Sequence, residues 1–399
     1  MNDRRNYPLL LASQFLSAFG DNLILMLILG PFMIRLKTGQ ITEQAQSIAN
    51  IYYTSLLFVP YVLLAPLAGY LNDRFSKNRW LLGGNFVKLA GTGLIALAWP
   101  GAGYFTVGIG ACLYSPAKYG ILPEILPAAR LVKANGSMEL LTLVAILTGN
   151  IAGSYAFDNS PLATCYLAVI GVYALSLVLN LLMSRTPSYR EVQLRGSIGQ
   201  FFSNLADLFS KKRLARILVG TALFWICGAI LKMNFQPWGQ QILHLTDMVQ
   251  ISLLGLWLSV GVMLGSVLAG QLYAVGDLHV TRRYGWLLAT GVAVLGSIGW
   301  LMAHGLNYPK TLPPVVLIVT GLIAGLFLIT LNAALQAESH KDKLGKTIAT
   351  QNGFENLAML GGSLLAYIDV RVGFNPSELF LALAAFAAVV VVWLKIPAK

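Results

Sequence analysis

Twelve apolar runs divide this chain of 399 residues, and each is long enough to cross a bilayer as a helix. A membrane-spanning helix takes about 20 mostly apolar residues. Charged residues make up only 11% of the chain, whereas a soluble domain carries about 25%. The sequence therefore predicts an all-α integral membrane protein with twelve transmembrane helices. The runs lie approximately at residues 9–34, 48–71, 80–98, 102–122, 137–157, 162–184, 214–236, 249–273, 284–303, 312–335, 347–368 and 378–395.

Lysine and arginine are unevenly distributed about these runs. With the N-terminus in the cytoplasm, 21 of the 28 basic residues fall on the cytoplasmic side and four fall outside. Such a positive-inside bias sets the orientation of a membrane protein, so we expect both termini to be cytoplasmic. The bias also accounts for the net charge of +12 without a nucleic-acid partner. The first run is too long for a signal peptide and contains Asp21, so we expect it to be retained.

The longest internal hydrophilic segment follows the sixth run and divides the chain in two. It predicts an N-terminal six-helix half at residues 1–184, a cytoplasmic linker at 185–213 and a C-terminal six-helix half at 214–399. Apolar residues recur in the linker at helical spacing and precede a basic cluster, Lys211 to Arg213. This pattern is typical of an amphipathic helix lying on membrane lipids, or equally of a solvated linker helix.

The loop after the second run reads GYLNDRFSKNR, from Gly69 to Arg79. Gly69 would let two helices approach closely, and Asp73 would bond to a helix N-terminus or a base when the cytoplasmic side is closed. Arg74, Lys77 and Arg79 would hold the loop at anionic lipid head groups. This spacing resembles the loop signature of the major facilitator superfamily. The resemblance implies that superfamily's fold of two six-helix halves, and a gating role for these five residues.

Six ionisable residues lie inside the predicted spans. A charge at the bilayer centre costs about 2.5–3.5 kcal/mol on insertion scales, so such residues face a protein interior or a wet cavity. The three acids and three bases could pair with one another, or they could bind a zwitterionic or anionic head group. Lys88 is the weakest candidate, because a lysine can extend its amine to the membrane surface. The six are Asp21, Glu139, Glu355, Lys88, Lys118 and Lys232.

Uncharged polar residues accompany these charges. In the first run, Gln14, Ser17 and Asp21 share one helical face, with Asn22 beside it. We expect Pro116 to break the fourth helix, and Lys232 to break the seventh. Ser115, Lys118 and Tyr119 then lie on one side of the Pro116 break. A second polar stripe begins the eleventh run and contains Gln351, Asn352, Glu355 and Asn356.

Longer motifs surround the same residues. The first half contains QFLSAFGDN at 14–22, YSPAKYGIL at 114–122 and LVKANGSME at 131–139, and the second contains NAALQ at 332–336 and QNGFEN at 351–356. Together these motifs resemble the bacterial lysophospholipid transporter family of the major facilitator superfamily.

That resemblance implies a monomeric flippase in the bacterial inner membrane, surrounded by membrane lipids. It would move lysophosphatidylethanolamine and related lysolipids from the outer to the inner leaflet by alternating access. A cytoplasmic acyltransferase would then rebuild the diacyl lipid. The resemblance points to Asp21, Asn22, Lys118, Glu139, Lys232 and Glu355 as substrate-binding residues. The polar stripes add Tyr119, Gln351 and Asn352 to the predicted site.

Two other functions compete with this one. A proton-coupled exporter of drugs or small polar solutes would use Asp21 or Glu139 as its protonation site. A membrane-embedded acyltransferase would need a histidine with aspartate five residues later, and none of the four histidines has one. The sequence also lacks a Gly-x-Ser-x-Gly motif, a P-loop and metal-spaced Cys/His clusters. We therefore predict no catalytic residues, no cofactor, no metal and, from three cysteines within spans, no disulfide.

Overall fold

The computed structural model describes residues 3–186, 194–245, 248–275, 277–304, 309–339, 344–373 and 375–396. Over these residues the regular structure is helical, apart from turns and short connections. The α-helices are α1 (Asp3–Lys37), α2 (Glu43–Leu63), α3 (Ala65–Arg74), α4 (Lys77–Ala96), α5 (Pro100–Gly120), α6 (Leu122–Ile125), α7 (Leu131–Asn159), α8 (Leu162–Leu181), α9 (Leu194–Ser210), α10 (Lys212–Gln241), α11 (Met248–Leu272), α12 (Thr281–Ala303), α13 (Leu312–Glu338), α14 (Leu344–Val372) and α15 (Pro376–Trp393).

The long helices follow the twelve apolar runs in order. Among the described residues, eight helices are each long and apolar enough to span a membrane, and the bent pair α2 and α3 would make a ninth span. The remaining long helices α4, α5 and α14 contain the glycine-rich and polar stretches of the sequence. A multi-pass membrane protein follows from this set of helices.

Three helices differ in shape from their predicted form. The second run bends by 59° between α2 and α3, where Pro66 occupies the first turn of α3. Pro66 has no N–H to donate to the carbonyl of Val62 one turn back, and its ring crowds that carbonyl, which accounts for a break at this point. Two other expected breaks are wrong, because α5 continues through Pro116 to Gly120 and α10 continues through Lys232 to Gln241.

The chain forms two compact units. The first contains Met1–Leu131, Leu141–Leu208 and Glu338–Leu357, and the second contains Val132–Leu140, Phe209–Ala337 and Ala358–Lys399. The first has an apolar core that includes Leu27 of α1, Val107 of α5 and Val169 of α8. The second includes a smaller cluster around Ala269 and Ala333. The division of the sequence into halves at residues 184 and 214 stays a prediction.

The linker contains the predicted amphipathic helix, α9, although residues 187–193 lie outside the described part of the chain. Phe201 and Leu208 are buried, whereas Phe202 is 58% exposed and Phe209 is 38% exposed. Two exposed aromatic rings beside the basic Lys211 suit a membrane surface. The role of α9 on lipid remains a prediction.

Helices α4 and α5 pack backbone to backbone inside the first unit. A Cβ atom on Gly91 would lie 2.7 Å from the carbonyl oxygen of Gly103, and one on Gly84 would lie 2.7 Å from that of Gly110. Small residues of this kind let membrane helices approach closely. This packing fixes the side chains of α4 against α5.

Alanine at Gly91 should therefore destabilise the first unit. Its methyl group would collide with backbone atoms that cannot move independently, at a cost of about 1–3 kcal/mol. Gly93 lies on the same helix, and a Cβ there would meet no atom within 4 Å. We expect Gly91→Ala to lower the thermal midpoint of the purified protein and Gly93→Ala to leave it unchanged or raise it. Equal midpoints for both variants would contradict the packing described.

Candidate functional site

Asp21 occupies the middle of α1 and has two hydrogen-bonded partners on other helices. Its Oδ2 lies 2.7 Å from Lys88 Nζ of α4, and its Oδ1 accepts a 2.7 Å hydrogen bond from the hydroxyl of Tyr173 in α8. The other polar residues of this α1 face, Gln14 and Ser17, are buried. The face therefore turns to the interior of the first unit, as their spacing predicts.

Lys88 is not at the membrane surface, so the expectation that it could extend there is wrong. Its side chain is only 2% exposed, and it donates to Ser17 Oγ at 2.8 Å as well as to Asp21. The amine also lies over the rings of Tyr114 and Tyr173, 5.4 and 5.7 Å from their centroids. A buried amine needs such partners, because an unpaired charge in the interior is costly.

A chain of hydrogen bonds continues from this ion pair through the first unit. Ser17 donates to Asn85 at 2.9 Å, Asn85 donates to Ser176 at 2.8 Å, and Ser176 donates to the Ser13 carbonyl at 2.8 Å. Ser13 in turn donates to Asn180 Oδ1 at 2.6 Å.

Sequence reasoning missed most of this network. Asn85 and Lys88 are three residues apart, as are Tyr173 and Ser176, so each pair shares a helical face. That spacing was the available signal. Gly20 makes room for the Tyr173 ring, since a Cβ there would lie 2.8 Å from its Cε1 atom.

The remaining α1 and α5 candidates make local contacts. Asn22 donates to the Ala18 carbonyl one turn back, at 2.9 Å. Lys118 places its amine 4.8 Å from the ring centroid of Tyr119, and both side chains are partly exposed. Because α5 continues past Pro116, Lys118 and Tyr119 form its last turn rather than one side of a break.

The polar stripe of α14 is buried in the first unit. Gln351 donates to Glu355 at 2.8 Å, and Asn352 donates to Ser115 Oγ of α5 at 3.0 Å. Asn356 donates to the Asn352 carbonyl at 2.8 Å. The stripe therefore joins α14 to the end of α5.

The predicted gate residues lie beside the start of α14. Asp73 is buried, and its Oδ2 accepts a 3.1 Å hydrogen bond from the backbone N–H of Lys346, in the first turn of α14. A carboxylate is stabilised there by the free N–H groups and the helix dipole. A Cβ on Gly69 would lie 3.1 Å from both Lys346 Cα and Ala349 Cβ. This contact with a helix N-terminus is one of the two alternatives that the loop sequence predicts for Asp73, and its gating role stays a prediction.

The basic residues of the gate loop do not act alike. Lys77 is 1% exposed and forms an ion pair with Glu124, so its predicted position at the lipid surface is wrong. Its backbone N–H donates to Thr186 Oγ1 at 3.0 Å. Arg79 is exposed, and Arg74 lies over the rings of Tyr70 and Phe75.

Two of the predicted site residues belong to the second unit. Glu139 is buried in α7, whereas Lys232 is exposed on α10. Within the described part of the chain, Lys232 has no hydrogen bond or ion pair to another residue. Close packing also occurs in this unit, where a Cβ on Gly270 would lie 3.0 Å from Lys133 Cα.

Within the described segments, no group of three or more His, Cys, Asp or Glu side chains could hold a metal ion. Cys112, Cys165 and Cys227 are buried and free.

Comparison with known proteins defines the class. The family model described as Major Facilitator Superfamily matches residues 10–363. A lysophospholipid transporter, LplT, of Photorhabdus laumondii is 35% identical over 92% of this chain and 89% of its own length. The protein of the same name in Klebsiella pneumoniae is 35% identical over 96% of this chain and 93% of its own length. This chain therefore belongs to the major facilitator superfamily and, within it, to the bacterial lysophospholipid transporter family.

Solved structures support the fold alone. The human organic anion transporter MFSD10 has a TM-score of 0.80 and 14% identity, covering 99% of this chain and all of its own. The proton:xylose symporter XylE has a TM-score of 0.73 and 14% identity, covering all of this chain and 97% of its own.

The Lys77–Glu124 pair should respond to single and double substitution in different ways. Lys77→Met leaves a buried carboxylate without its cation, which costs about 3–5 kcal/mol. Replacing both residues with methionine removes both charges and is often neutral. We expect the thermal midpoint to fall in the single variant and recover in the double variant. A double variant no more stable than the single one would contradict a buried ion pair here.

Proposed function

We propose that this chain moves lysophospholipids across the membrane and binds their head groups on its intramembrane charges. The observation that carries the proposal is 35% identity to lysophospholipid transporters over more than nine-tenths of the chain. Those relatives are named as lysophospholipid transporters, and the intramembrane charges suit a charged substrate. An ionisable residue inside a membrane span, such as Asp21, is a candidate functional residue because a charge there is costly.

The head group of lysophosphatidylethanolamine carries an ammonium and a phosphate. Asp21 is 13% exposed and retains acceptor sites for the ammonium, since an ionised carboxylate has about four lone-pair sites. Lys118 and the exposed Lys232 are proposed to bind the phosphate. Each would do so through a single ammonium group, without the bidentate hydrogen bonds that an arginine makes. Asn22, Tyr119 and the polar residues Glu139, Gln351, Asn352 and Glu355 are proposed to line the route.

Gating is proposed to use the contact of Asp73 and Gly69 with the start of α14. Release of the Lys346 N–H from Asp73 would free the first turn of α14. Arg74, Lys77 and Arg79 are assigned to the same loop, with Lys77 acting through Glu124 rather than through lipid.

The cellular setting belongs to the same proposal. We place the protein in the bacterial inner membrane as a monomer. Its positive-inside charge bias places both termini in the cytoplasm in this proposal. Lysolipid moved to the inner leaflet would be available there to a cytoplasmic acyltransferase.

Uptake of labelled lysophosphatidylethanolamine into proteoliposomes tests the proposal. Asp21→Asn should slow uptake by roughly ten- to a hundredfold, as expected for loss of a charged hydrogen-bond acceptor. Asp158→Asn makes the same chemical change at an exposed position and should leave uptake unchanged. No uptake by the unaltered protein, or full uptake by Asp21→Asn, would reject the proposal.

A further inference from the structure

The two members of the Asp21–Lys88 pair differ in access. The Asp21 side chain is 13% exposed, whereas that of Lys88 is 2% exposed. A ligand can therefore reach the carboxylate without touching the amine. Both oxygens of Asp21 already accept one bond, from Lys88 and from Tyr173.

Lys88 is held where it is by several helices. It donates to Ser17 of α1 and lies between the rings of Tyr114 and Tyr173. Ser17 is itself fixed by Asn85, one turn before Lys88 on α4. A Cβ on Gly110 would meet Lys88 Cγ at 2.7 Å, so the lysine stem is packed against α5. The amine therefore stays against Asp21.

Charge neutrality follows from this geometry. A carboxylate and an ammonium 2.7 Å apart have no net charge, so a head group that approaches Asp21 meets a dipole. Without Lys88, the same carboxylate would present a full negative charge in a medium of low dielectric, where charge interactions are strong. It would then attract an ammonium and repel an anionic head group.

We propose that Lys88 is a specificity-determining residue, which neutralises Asp21 so that both zwitterionic and anionic lysophospholipids are accepted. This inference rests on the proposed function and deepens it. Lys88 is a positioning residue that acts through Asp21 rather than through contact with the lipid.

The test compares two lipids with the same acyl chain in proteoliposomes of phosphatidylcholine. Lysophosphatidylethanolamine carries an ammonium, whereas lysophosphatidylglycerol is anionic and has none. We expect Lys88→Met to raise the ratio of their initial rates about tenfold in favour of the ethanolamine lipid. Asp21→Asn leaves the Lys88 charge alone and should shift the ratio the other way. The double variant Asp21→Asn with Lys88→Met should return the ratio towards that of the unaltered protein.

Lys37→Met is the control, because it makes the same chemical change at an exposed lysine to which no role is assigned. It should leave the lipid ratio unchanged. A Lys88→Met variant that slows both lipids equally, or a double variant that keeps the shift of the single one, would overturn the inference. If Lys88→Met does not fold, the inference is tested by the lipid ratio of Asp21→Asn and by the return of that ratio in the double variant. Failure of the unaltered protein to carry either lipid would instead reject the proposed function.

Discussion

The cost of a charge in hydrocarbon is the constraint that organises the first unit. The Asp21 carboxylate is stabilised by an ion pair with Lys88 and a hydrogen bond from Tyr173. The Lys88 amine is stabilised by Asp21 and by Ser17. Breaking a buried pair of this kind leaves an uncompensated charge. The hydrogen bonds that follow, through Asn85 and Ser176, extend the pair into a network that ties α1, α4 and α8 together.

A second acidic residue meets the same cost in a different way. Asp73 is buried, and its carboxylate accepts a hydrogen bond from the backbone N–H of Lys346 in the first turn of α14. A helix N-terminus can be released by a small movement of one helix, whereas the Asp21–Lys88 pair is enclosed by three helices. We therefore propose that Asp73 belongs to the moving part of the transport cycle, and that Asp21 belongs to a fixed part to which the head group is proposed to bind.

Sequence patterns predicted the helices, because apolar runs of sufficient length define helices in a membrane. The loop motif also indicated that Asp73 bonds to a helix N-terminus or to a base, but these patterns did not identify Lys346, 273 residues away, as its partner. They did not predict the partner of Lys88, since Asp21 lies 67 residues away in sequence. A lysine in a span has the same local pattern whether it pairs or extends to the surface. Pro116 likewise does not break α5, because packing on α4 stabilises the helix even though proline has no N–H to donate.

The infrared difference spectrum recorded on adding lysophosphatidylethanolamine to the purified protein tests the central claim most directly. The claim is that Asp21 stays ionised against Lys88 and receives the lipid head group. It predicts that the lipid shifts a carboxylate band, and that this shift is absent from Asp21→Asn. An identical difference spectrum in Asp21→Asn, or a band of protonated carboxylic acid assigned to Asp21, would contradict it.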